Sequence, residues 1–270
     1  LTGLVFITFY AVMGLFMGAL ADMVHRPRLI AFGLALWSIL TAASGAAKGF
    51  VSLAIPRMFI GVGESVLTPT SMSILADRFP AAKLGFVSGF YYLGVPVGVG
   101  VSLLVAGYLG PAIGWRNCFY ALGAIGVVLA IIMLFVKETP RKHQIESNDE
   151  QPKQSFRSIA KQLYAILKFS PALALTMAGG IATHFILGAA AFEQLWFVAE
   201  RGFDRAYIAQ ATGWYAVAGS ILGNLFGGLG SDWWQRNRSS GRPMFLVVIL
   251  LVLVPIGFAY RVVDPNSGFF

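Results

Sequence analysis

The sequence predicts an all-α membrane protein with about eight transmembrane helices. Three observations carry that expectation. Residues are 57% hydrophobic and only 12% charged, where a soluble domain carries about 25% charged residues. Apolar runs recur along the chain at about the 20-residue length that an α-helix needs to cross a bilayer. A charged link between two such runs, Gly18-x-x-x-Asp22 followed by Arg26 and Arg28, recurs as Gly228-x-x-x-Asp232 followed by Arg236, Arg238 and Arg242. A device repeated at that distance marks a transporter-like chain built from two related halves.

The expected spans are residues 1–21, 29–47, 51–76, 84–109, 116–136, 171–199, 207–230 and 243–260. The first five form most of one bundle, residues 1–136. Residues 137–170 form a linker, and residues 171–270 begin a second bundle with three spans. If the 22–28 loop is cytoplasmic, 14 of the 20 Lys and Arg residues lie inside and 4 outside. That bias sets the orientation. Residues 1–20 are not expected to be a signal peptide, because no basic stretch precedes the apolar run. In the linker, Phe156, Ile159, Ala160, Leu163, Ile166 and Leu167 recur at helical spacing, with Arg157, Lys161 and Lys168 off that stripe. Such a helix lies on the inner membrane surface or caps the bundle.

Composition also excludes functions. Cys118 is the single cysteine, so no disulfide forms within the chain. The histidines are scattered, and no cluster has metal-ligand spacing, so neither metal nor cofactor is expected. The net charge of +8 follows from topology and does not call for nucleic acid. No phosphate-binding loop, nucleophile elbow or zinc-protease signature occurs. The chain is therefore expected to be neither an enzyme nor an ATP-driven pump, and no residue is assigned a catalytic role.

Two charges fall inside the third span. Arg57 and Glu64 are seven residues apart, two helical turns, so both point from one face. A charged side chain near the bilayer centre costs about 2.5–3.5 kcal/mol on insertion scales, and such groups mark functional pathways by default. Arg57 suits an anionic group, because a guanidinium matches phosphate and carboxylate forks. Glu64 suits a proton. The alternative is a structural ion pair between helices. His184 and Glu193 lie in the sixth span, nine residues apart and on nearly opposite faces, so only one is expected to line a cavity. Asn224 bonds across helices or touches substrate. Tyr91, with Tyr10, Phe90, Tyr92, Phe185 and Trp214, lines an acyl-chain path or packs in the core. Gly94-x-x-x-Gly98, Gly14-x-x-x-Gly18 and Gly223-x-x-x-Gly227 are expected at close helix crossings. Gly85, Gly94 and Gly98 also partly match an antiporter motif, with Val99 where that motif has Pro.

Gly18-x-Leu20-x-Asp22-x-x-x-Arg26-x-Arg28 resembles the loop signature of the major facilitator superfamily. That loop lies between the second and third of twelve helices and recurs in weaker form between the eighth and ninth. The family usually has a basic residue straight after the Asp and a Gly three after it. Here those positions are Met23 and His25. On that plan the eight spans match the second to the ninth, and the chain is expected to be a fragment of a major facilitator-type bundle. The resemblance implies an inner gate of charged groups at one depth: Asp22, Arg26, Arg28, Asp77 and Arg78, with Asp232 and Arg236 in the second half.

Arg57-Met-Phe-Ile-Gly-Val-Gly-Glu64, Pro69, Ala76-Asp-Arg-Phe-Pro80, Gly89-Phe-Tyr-Tyr-Leu-Gly-Val-Pro-Val-Gly98, Gly114-Trp-Arg116 and Lys137-Glu-Thr-Pro-Arg141 resemble the spinster branch. That branch implies a proton-coupled carrier of lysophospholipids or sphingoid phosphates in a bacterial inner membrane, working by alternating access. Its partners would be a small-molecule or lipid substrate, protons and membrane lipid. The family's functional Arg and Glu map onto Arg57 and Glu64; its acidic residue on the first helix has no counterpart here. Organic-anion proton symporters of the same superfamily share the Arg…Gly-x-Gly-Glu pattern and give the alternative substrate class. A channel or a non-transporting membrane protein is the alternative of another kind.

Overall fold

The computed structural model describes residues 2–141, 165, 168–171, 174–175, 177–180, 182, 192–238 and 241–263. Two compact units divide the chain: Leu1–Pro140 with Ala209–Phe270, and Arg141–Ile208.

In the first unit, α1 (Thr2–Met23), α2 (Arg26–Gly45), α3 (Phe50–Ser65), α4 (Leu67–Arg78), α5 (Ala81–Leu104), a five-residue π-turn (Val105–Leu109), α6 (Gly110–Ile113) and α7 (Trp115–Leu134) follow in order. Helix α2 is central, packing on α7, α3 and α4, while α1 lies on α3. It starts where His25, in extended conformation, accepts a hydrogen bond from the Arg28 N–H, and Pro27 stands in its first turn. Proline suits that position because the first helical N–H groups have no partner within the helix. The α2–α7 crossing works through small residues. A Cβ on Gly123 would stand 2.7 Å from the Ser38 carbonyl oxygen, and one on Gly45 2.8 Å from the Arg116 carbonyl oxygen. Ser38 and Ser44 are fully buried. Each hydroxyl donates to its own helix, to the Leu34 carbonyl at 2.6 Å and the Leu40 carbonyl at 2.9 Å. Buried polar groups are thereby satisfied without a partner from α7. At the α2–α3 crossing, Gly33 and Gly63 face each other backbone to backbone.

Among the described residues, four segments are long and apolar enough to cross a membrane: Arg26–Gly45, Phe50–Arg78, Lys83–Ile113 and Trp115–Leu134. The third expected span is thus one crossing made of two helices, α3 and α4, parted at Val66. Pro69 is the physical reason: it has no N–H for the Ser65 carbonyl, and its ring crowds that carbonyl. The fourth expected span likewise ends in the π-turn, and α7 follows at Gly114, whose φ of +80° is open to glycine. The first and last expected spans coincide with α1 and with α10 (Gly241–Val262), whose apolar cores, Phe9–Met23 and Met244–Ala259, are shorter. The seventh, α9 (Arg205–Asn237), runs beyond its expected end at 230. The amphipathic stripe 156–167, apart from residue 165, and residues 172, 173, 176, 181 and 183–191 of the sixth span lie outside the described residues.

Helices α5 and α9 run antiparallel. Asn224 Nδ2 donates to the Gly89 carbonyl at 3.4 Å, and Gln210 Nε2 to the Gly107 carbonyl at 2.9 Å. Between those points a Cβ on Gly100 would lie 2.9 Å from the Gly213 carbonyl oxygen and 2.7 Å from Val217 Cγ2. The closest approach therefore falls at Gly100. At Gly14, Gly18, Gly94, Gly98, Gly223 and Gly227 an added Cβ meets no described atom within 4 Å. Spacing alone does not say which side of a helix its neighbour takes. Gly94→Ala should be neutral or slightly stabilising, since Ala is the better helix former by about 1 kcal/mol. Gly100→Ala should lower stability by about 1–3 kcal/mol through overpacking. Thermal unfolding of the two detergent-solubilised variants checks the contrast; equal melting temperatures would refute the contact.

The second unit contains α8 (Glu193–Ala199). Phe197 is buried there, 5.0 Å from the Trp196 ring and 6.0 Å from the Phe203 ring. The Arg201 guanidinium lies over Trp196 at 4.8 Å.

Candidate functional site

Arg26 opens α2, and its side chain is only 1% exposed. A buried guanidinium needs acceptors for its fork and an opposite charge. Both are present. Nε donates to Glu138 Oε1 at 2.8 Å, Nη1 to Asp77 Oδ2 at 2.5 Å and to Ser73 Oγ at 2.9 Å, and Nη2 to the Thr139 carbonyl at 2.6 Å. The Arg26 main-chain N–H also donates to Glu138 Oε2 at 2.6 Å. Glu138 therefore does two things. It neutralises the guanidinium, and it places a carboxylate on the N-terminus of α2, where the helix dipole favours an anion. Partial burial pushes the Glu138 carboxyl up, but the hydrogen bonds and charge of Arg26 outweigh that and hold it below the usual carboxylate range. His25 Nδ1 stands 3.7 Å from Glu138 Oε2.

This network joins the starts or ends of three elements: α2, α4 and the segment after α7. Of the charged residues expected at one depth, it brings together Arg26 and Asp77. Arg28 and Arg78 are exposed, as is Asp22 at the end of α1. Asp232 and Arg236 are exposed on α9. In the sequence Glu138 stands within the spinster-like stretch Lys137-Glu-Thr-Pro-Arg141 at the opening of the linker, with no partner assigned to it. The signal that points to it is topological: it follows the last apolar residues of a span ending on the face where Arg26 begins one.

Arg57 and Glu64 share α3. Arg57 is exposed, with its guanidinium 5.7 Å from the Phe119 ring centroid. Glu64 is half-buried between Gly63 and Ser65, just before the break at Val66. No hydrogen bond or ion pair joins the Glu64 carboxylate to any described residue. A cation over an aromatic face keeps its donors available, so both groups can meet a third partner. Tyr91 is half-buried with its ring 5.3 Å from Tyr92, two residues along α5 from the Gly89 carbonyl that Asn224 reaches. Glu193 is the first residue of α8 and half-buried. His184 lies outside the described residues.

The sequence profile of the Major Facilitator Superfamily matches residues 1–270. The chain belongs to that superfamily. It is an integral, multi-pass membrane protein from a family of transporters, not enzymes. It is similar to a protein of Arabidopsis thaliana designated a probable sphingolipid transporter, spinster homolog 1, with 31% identity over 135 residues, 49% of this chain and 27% of the relative. The hexuronate transporter of Bacillus subtilis is 32% identical over 145 residues, 52% of this chain and 34% of the relative. Among solved structures, a bacterial homolog to the human lysosomal transporter spinster, inward-facing and unoccupied, superposes with a TM-score of 0.66. The identity there is 23%, over 87% of this chain and 54% of the other, which shows the shared superfamily fold. The chain thus spans about a third of the length of these curated relatives and about half that of the solved one.

Proposed function

We propose that this chain forms part of a secondary active transporter that moves an amphipathic or anionic solute by alternating access, with proton coupling. The observation that carries this reading is Glu64, a half-buried carboxylate in a membrane-crossing helix with no partner among the described residues. A structural ion pair would have used it. Arg57, two turns away on α3, supplies the fork for an anionic head group, and Glu64 takes up and releases the proton. Tyr91, Asn224, Glu193 and His184 are proposed as further cavity-lining positions. The network of Arg26, Asp77 and Glu138 is proposed as part of a cytoplasmic gate, with Asp22, Arg28, Arg78, Asp232 and Arg236 at the same level. The reading places the basic loops on the inner face of a bacterial plasma membrane.

The substrate we favour is lysolipid-like or sphingoid-like, supported by the Arabidopsis relative's name and by the large apolar side chains exposed along α5 and α9, such as Phe86, Phe90 and Phe226. The hexuronate relative supports a second reading, a sugar-acid symporter. Uptake of a labelled lysophospholipid and of a labelled hexuronate, measured side by side in proteoliposomes holding the full-length protein, separates them. Glu64→Gln should abolish uptake driven by a pH gradient and leave substrate exchange measurable. Arg57→Lys keeps the charge and loses the fork, so substrate binding should weaken by about tenfold or more. Unchanged pH dependence in Glu64→Gln would remove the proton role, and normal binding by Arg57→Lys would remove the anchor.

A further inference from the structure

We propose that His25 is a proton-operated brace that fastens the segment after α7 to the start of α2. The superfamily signature usually has glycine at this position, and this chain has an imidazole. Its Nδ1 lies 3.4 Å from the Arg28 main-chain N–H, which donates to it, and 3.7 Å from Glu138 Oε2. In the neutral ring Nδ1 is an acceptor. It caps α2 through Arg28 and presents a lone pair to a carboxylate oxygen, which gains nothing from it. Protonation turns Nδ1 into a donor. The cap to Arg28 is then lost, and a charge-assisted bond to Glu138 Oε2 replaces it. The exchange favours the ion pair because the Arg26 N–H of the same helix end is already satisfied by Glu138 at 2.6 Å.

The surrounding charges fit that exchange. Glu138, from the segment after α7, is the nearest carboxylate, and Arg26 keeps it ionised throughout the pH range in which an imidazole titrates. Asp77, on α4, reaches Arg26 and adds a second carboxylate to the cluster. The network holds two carboxylates, Asp77 and Glu138, against one guanidinium. A second positive charge balances it. Arg28 is exposed on α2, Asp22 is exposed at the end of α1, and Lys137 is exposed beside Glu138. Acidification on this face therefore tightens the hold of residues 137–140 on α2 and α4, and alkalinisation loosens it. The inference is separate from the transport reading, because it needs no substrate and no gradient.

Spin labels at Met23→Cys and Lys137→Cys, in a Cys118→Ala background, test it in the full-length protein in nanodiscs. Both label sites are exposed. Between pH 8 and pH 5.5 the distance distribution should narrow, with the ratio of docked to undocked populations rising about fivefold, the upper end for a solvent-exposed ion pair. His25→Gln retains an acceptor for the Arg28 N–H but cannot titrate, and its distribution should not change with pH. A wild-type distribution that is flat with pH would overturn the proposal. So would narrowing in His25→Gln equal to that of the wild type.

Discussion

Arg26→Ala should destabilise the protein by about 3–5 kcal/mol, the cost of removing one partner from a buried ion pair. The loss has two parts. Asp77 and Glu138 would keep their charges with the shared guanidinium gone, and the Ser73 hydroxyl and Thr139 carbonyl would each lose the donor now 2.9 Å and 2.6 Å away. Chemical unfolding in detergent measures it. Arg26→Met combined with Asp77→Asn and Glu138→Gln should recover much of the loss, since a buried pair replaced by neutral groups of similar volume is often close to neutral. If the triple variant is as weak as Arg26→Ala, the cost comes from shape and not from charge. The pH dependence has a defined sign. Arg26 depresses the Glu138 carboxyl, so the stability it contributes is fully present above the usual carboxylate value of about 4.3 and is lost as pH falls through the depressed folded value. Glu138→Gln should remove that part of the acid profile.

Gly63→Val is expected to cost about 3 kcal/mol, the upper end of the overpacking range. A Cβ there would stand 2.7 Å from the Gly33 carbonyl oxygen and 3.0 Å from the Trp37 main-chain nitrogen. Both obstacles are backbone, which cannot rotate aside as a side chain does, so α2 and α3 would have to separate along their whole crossing. Gly14→Val, where no described atom comes within 4 Å, is the control. Thermal unfolding of the two variants gives the comparison. A Gly63→Val protein as stable as Gly14→Val would mean that α2 and α3 do not touch at this point.

The helices were legible because each follows from a local property: an apolar run of spanning length, a proline in a first turn, or a proline that removes one carbonyl's donor. Pro69 is in plain view in the sequence, and the α3–α4 break is its direct consequence. Pairings between distant segments were harder to read. Arg26 and Arg28 look equivalent in the loop signature, yet residues two apart lie on opposite sides of a helix, so one is buried and the other exposed. Topology puts Asp77 at the depth of Arg26. The choice of Glu138 as second acceptor spans 112 residues of chain, and no local spacing encodes it. The same limit explains the glycines. With 31 of them, four-residue spacings arise in many places, and only the neighbour's position makes glycines such as Gly33, Gly45, Gly63, Gly100 and Gly123 points of contact.

The contact of Gly100 with Gly213 also has a mechanical meaning. It lies near one end of two long helices, and toward the other end an added Cβ on Gly85, Gly94, Gly219, Gly223, Gly227 or Gly228 meets no described atom within 4 Å. Such a contact is a fulcrum with unequal arms. From Gly213 to Asn237 the long arm of α9 has 24 residues, about 36 Å at a 1.5 Å rise. A tilt of about 10° around the contact would sweep its tip through roughly 6 Å on that geometry, while the atoms at the fulcrum barely move. Two glycines that let the backbones touch thus set where the lever turns, and the length of α9 sets how far its end travels.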